Sequence, residues 1–130
     1  MNFEKIVAIL QVLMALGMIR FWYTWFRTEH NEPWLPKGYE EHEQVFVYPD
    51  MVLSFLMFVS AYLLWTGHPA GTKTTLIAGG MMLFLTVIDL AYFIRHDFFN
   101  KNKNGVYHFW GLIFPMIVMS FVMTIPFLIE

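Results

Sequence analysis

Four stretches of the chain are nearly unbroken apolar runs, and polar residues gather between them. The first extends from about Ile6 to Phe26, the second from Pro49 through MVLSFLMFVSAYLLW to Trp65, the third from Thr75 to Asp97 and the fourth from Tyr107 to Leu128. At 1.5 Å per residue each approaches or exceeds the length needed to cross a hydrocarbon layer about 30 Å thick. The pattern predicts an all-α integral membrane protein, a bundle of four transmembrane helices forming one domain over residues 1–130. An even number of spans places both termini on the same side, with a long 28–48 connection on the other. The first run continues into FWYTWF with no small-residue cleavage site, so it is expected to stay as an anchor.

The breaks have their own grammar. Residues 28–48, TEHNEPWLPKGYEEHEQVFVY, contain two prolines and a glycine, which argue against a continuous helix. Trp34, Leu35 and Tyr39 suit a segment lying on a bilayer surface or capping the bundle. Pro49 fits the first position of the second helix, with Asp50 beside it where the helix dipole favours an anion. GHPAGTK, residues 67–73, reads as a short polar turn, and FFNKNKNG as another, broken at Asn104 and Gly105. Within the spans, Gln11 can reach a neighbouring helix, and Gly79 and Gly80 permit a close approach. Pro115 should kink the fourth span, where Ser120 and Thr124 can return hydrogen bonds to the backbone.

Composition fixes the class more firmly than any motif. Hydrophobic residues make up 58% and charged residues 14%, against about 25% charged in soluble domains. There are no cysteines, which removes disulfides, thiolate ligands and a cysteine nucleophile. A net charge of −2 and eight basic residues without a run give no footprint for nucleic acid. Ser54 and Ser60 lack a GxSxG elbow, and the Glu41-His42-Glu43 run lacks an HExxH or Glu-x-x-His spacing, so neither a cofactor nor a metal site is expected. Arg20, Arg27, Lys37, Arg95, Lys101 and Lys103 outnumber Lys5 and Lys73 across the bundle. The positive-inside rule therefore predicts that loops 28–48 and 98–106 are cytoplasmic, in the cell membrane if the source is prokaryotic.

Asp89 is the chief candidate for chemistry, because an ionisable side chain deep in a span costs about 2.5–3.5 kcal/mol on insertion scales. Tyr92 and His96 follow at i+3 and i+7 on the same helix face. Arg20, Tyr23, Thr24 and Arg27 make a second polar stripe, and Arg20 lies deep enough to meet Asp89 as an ion pair. Asp50 and His108 would stand at the mouth of the same cleft. Asp89 and His96 are expected to carry any acid–base catalysis, with Arg20, Tyr23, Asp50, Tyr92 and His108 binding the polar end of a ligand. Met81, Met82, Met116, Met119 and Met123 supply adaptable apolar surface for packing or for a ligand.

The expected function is to bind, and to transform by acid–base chemistry if it is an enzyme, a hydrophobic or lipid-like small molecule inside the bilayer. One alternative is an oligomeric transporter or ion-conducting subunit using Asp89 as its proton or cation site, most simply as a homo-oligomer. Another is an accessory subunit with no chemistry, in which Asp89→Asn would be tolerated. The absence of charge in the far halves of spans one, two and four favours the ligand site over a through-going pathway.

Overall fold

The computed structural model describes residues 1–31, 33, 35–96 and 109–129. Among the described residues it has five helices and no strand: α1 (Phe3–Phe26), α2 (Tyr39–Gln44), α3 (Val47–Trp65), α4 (Ala70–Arg95) and α5 (Phe109–Leu128). Four helical runs are long and apolar enough to cross a membrane: α1, the α2–α3 rod from Tyr39 to Trp65, α4 and α5. α1 packs on α3, α3 on α4 and α4 on α5, while α1 and α5, which would close the ring, touch only lightly.

Local chemistry explains where each helix starts. Asn2 caps α1 by accepting a 2.9 Å hydrogen bond from the Lys5 amide, and Glu4 sits in the first turn, where the helix dipole favours an anion. The second run begins earlier than its prolines suggest. Gly38, at φ 83°, turns the chain, and Tyr39–Gln44 forms a helical turn and a half before Val45 and Phe46 link it to α3. Pro49 is the third residue of α3, still within the first turn, where a missing N–H is harmless. The irregular part of the 28–48 connection therefore ends at residue 38. α4 likewise starts at Ala70, five residues before the predicted Thr75, because Gly67 (φ 74°) reverses the chain and leaves AGTK free to be helical.

Pro115 acts through the turn before it. Phe109–Ile113 is wound as a wide π-helix, and α-helical geometry resumes at Phe114. A proline removes the hydrogen bond to the carbonyl four residues back and pushes that carbonyl away; the wide turn accommodates both effects. Ser120 and Thr124 donate to the Ile117 and Ser120 carbonyls at 2.7 and 2.8 Å.

The core is built from methionine and small residues. Met57, Met82 and Met123 are fully buried beside Ala15, Ala78 and Leu53, so flexible thioethers fill the gaps between closely spaced backbones. Glycine sets two of those spacings. A Cβ at Gly71 would stand 2.8 Å from the Leu64 amide nitrogen, and one at Gly79 only 2.7 Å from Thr124 Cγ2 and 2.9 Å from Met123 Cβ. Gly80 faces open space. The outer faces are apolar too: Phe55 is 71% exposed, Phe84 68% and Leu13 59%, an apolar coat that a protein surrounded by water would bury.

At the terminal end, a buried polar hub ties three helices. Thr75 Oγ1 donates to the Gly71 carbonyl (2.7 Å), accepts from Gln11 Nε2 (3.2 Å) and lies 2.6 Å from Ser60 Oγ. Gln11, Ser60 and Thr75 are each completely buried. Gln11 does reach a neighbouring helix, at the cost of leaving its Oε1 without a partner among the described residues.

Candidate functional site

At the opposite end of the bundle, Asp89 of α4, Asp50 of α3 and Glu43 of α2 line one enclosed cavity. The turn of chain between α2 and α3 brings Glu43 and Asp50 together; they are seven residues apart, two helical turns, with Phe46 between them lining the same space. Met18, Phe21 and Trp22 of α1, Phe93 of α4 and Leu112 and Met116 of α5 complete the wall. Trp22 Nε1 donates to Asp50 Oδ2 at 2.8 Å and so holds the carboxyl group, while Ser54 Oγ donates to the Asp50 backbone carbonyl one turn back at 2.9 Å.

Three carboxyl groups thus face a space that no basic side chain lines. Carboxyl groups that share a site in this way can hold and pass a proton among themselves. The cavity measures about 20 Å³, enough for a single water, which needs about 10–15 Å³, and far too little for an organic ligand. Trp22→Phe removes the donor to Asp50 while keeping most of the ring. It is expected to cost about 1 kcal/mol, read as a lowered thermal midpoint that Asp50→Asn, with no carboxylate left to satisfy, shows to a smaller further extent in the double variant.

Arg20 does not meet Asp89. It lies two residues before Trp22, about 200° around the helix, and lines a separate open groove with Gly17, Phe21, Thr24, Trp25, Thr28, His30, Gly111 and Leu112. This groove, of about 510 Å³, runs along the light seam between α1 and α5. Phe21 and Leu112 line both spaces. They form the partition between the acid cavity and the groove.

The other predicted site residues are spread around this centre. Tyr92 stacks on His42 of α2, with ring centroids 4.0 Å apart and 9° between planes, and the tilted His96 ring lies 4.4 Å from it. Neither lines the cavity; together they fasten α2, and with it Glu43, to the end of α4. Tyr23 is 61% exposed and packs under the Arg27 guanidinium at 4.5 Å, on the outside of the bundle. His108 lies outside the described residues. Glu43, Trp22 and the Phe21–Leu112 partition are features of the candidate site that the sequence reading missed. Glu43, Phe46 and Asp50 at i, i+3 and i+7 were the available signal, hidden by treating the residues before Pro49 as loop. Among the described residues no three histidines or carboxylates are arranged to share a metal ion.

Comparison with known proteins yields no match to this chain from family models, curated proteins or solved structures. Any function must therefore be argued from the site.

Proposed function

We propose that this chain is a membrane-embedded protein that binds a hydrophobic, lipid-like small molecule in the α1–α5 groove, with the acid cavity behind it as the polar end of the site. The observation that carries this reading is the shared partition: the same two side chains, Phe21 and Leu112, separate the groove from three carboxyl groups. A small displacement of either ring or leucine joins the two spaces. Asp89, Asp50 and Glu43 would then reach a bound molecule's polar end to give or take a proton, and Tyr92 and His96 would hold α2 in place rather than react. Entry from the side suits an apolar ligand, because the light α1–α5 seam is the one that can part without breaking a well-packed interface.

The groove supplies its own test. Nothing lies within 4 Å of a Cβ built at Gly17, so leucine fits there, fills the groove and improves helix propensity by about 1 kcal/mol. Purified in mild detergent, the protein is expected to carry an amphiphile seen by native mass spectrometry and identified after organic extraction, and Gly17→Leu is expected to be folded and empty. A Gly17→Leu protein that retains the same molecule at the same stoichiometry would show that the groove is not where it binds.

A second reading, in which Asp89 serves proton or cation transport in an oligomer, draws on the buried hub at Gln11, Ser60 and Thr75. The hub places polar groups in the far half of the bundle as well. Fully buried Met57, Met82 and Met123 in the core of the same bundle make this the lesser reading.

A further inference from the structure

From the groove's chemistry we infer that its ligand is a single-chain amphiphile with an anionic headgroup, a carboxylate or a phosphate, held at Arg20 with its tail running along α1 towards Leu10. This inference rests on the groove being the binding site and adds the class and orientation of what binds. The seam is amphipathic along its length. Beyond Gly17 it continues as a second groove of about 490 Å³ lined by Leu10, Leu13, Met14, Val118 and Val122 among others. Polar lining is thus confined to the Arg20 end. From Arg20 to Leu10 the helix rises about 15 Å, room for an extended hydrocarbon chain beside a headgroup site.

Among the described residues the donors at that end are uncommitted. Arg20 and Thr24 sit one turn apart on the groove face, and neither guanidinium nor hydroxyl is bonded to a described residue. His30 Nε2 lies 2.9 Å from the Trp25 carbonyl, which can only accept. That nitrogen must therefore carry the proton, leaving Nδ1 to accept from a ligand hydroxyl, or to donate when the ring is cationic. Trp25 Nε1, in a side chain only 6% exposed that lines the groove, has no partner among the described residues. Among the described residues no carboxyl group lines the groove, and Glu43, Asp50 and Asp89 line the cavity behind the partition. A fork of guanidinium donors with an adjacent hydroxyl matches the oxygen array of a carboxylate or phosphate.

The test compares three amphiphiles with the same oleoyl chain: oleic acid, oleoyl lysophosphatidic acid and uncharged monoolein, each titrated into the delipidated protein and read by native mass spectrometry. The expected result is that one or both anionic compounds bind about ten-fold more tightly than monoolein. Arg20→Gln should erase that difference by weakening the anionic compounds far more than monoolein, and Arg20→Lys should restore part of it. Arg20 is exposed, so its replacement leaves the core intact. Which of the two anions wins distinguishes carboxylate from phosphate. If all three bind equally and Gly17→Leu abolishes all three, the groove remains the site and the anionic headgroup is wrong. Binding unaffected by Gly17→Leu, or no binding at all, overturns both.

Discussion

Gly79→Leu is expected to lose about 3 kcal/mol of stability, the upper part of the range for overpacking a core, whereas Gly80→Leu, one residue away, should be neutral or slightly stabilising. The difference comes entirely from what each Cα faces. At Gly79 an added Cβ meets Met123 Cβ at 2.9 Å and the Met123 backbone carbonyl carbon at 3.2 Å. The Thr124 methyl can rotate away, but the Met123 backbone cannot, so α5 must retreat from α4. At Gly80 the same atom enters open space, and replacing glycine within a helix contributes about 1 kcal/mol. Thermal midpoints of the two variants in one detergent decide the matter; similar losses from both would mean that α4 and α5 do not approach at Gly79. Retreat of α5 would also carry Leu112 off the partition, so ligand retention should fall in the same variant.

Thr75→Val is the second large loss, about 2–3 kcal/mol. Valine matches threonine in shape, so the effect isolates the hydroxyl. Its removal leaves Ser60 Oγ and Gln11 Nε2 without their shared partner in a fully buried position, and an orphaned buried polar group costs about 1–3 kcal/mol. Gln11→Leu should cost much less, because it removes the unpartnered Oε1 together with one of the hub's bonds. Unfolding in denaturing detergent measures both. Should Gln11→Leu prove as damaging as Thr75→Val, the amide would have to be satisfied in some way that the hub does not provide.

The number, kind and approximate ends of the long helices were legible because span length and apolar content are set by composition alone. Rotation about each helix axis was not. Asp89 and Arg20 were paired by depth along their helices, yet depth carries no information on azimuth, and Arg20 lines the groove while Trp22 lines the cavity. On α4 the inward residues are Asp89 and Phe93, four apart, so the i, i+3, i+7 stripe through Tyr92 and His96 turned out to follow the edge that meets α2. Glu43 was obscured for a different reason: proline and glycine near it pointed to loop, and only the chain reversal at Gly38 shows that helix begins before Pro49. The glycines were legible as places of close approach, but which of Gly79 and Gly80 was in contact depended again on azimuth.

The wide turn at Phe109–Ile113 fixes the phase of the described residues just before Pro115, Gly111 and Leu112 among them. An α-helix advances about 100° per residue, so a turn holding one residue more than α geometry needs displaces the preceding side chains around the axis by about that angle. It is this phase that sets Leu112 against Phe21 and leaves Gly111 on the groove. Were the turn to tighten to ordinary α geometry, the same sequence would present a different residue to the partition. The wall between groove and acids is thus specified by backbone winding as much as by the leucine itself, and a helix that can pass between the two windings can open or close that wall without moving as a whole.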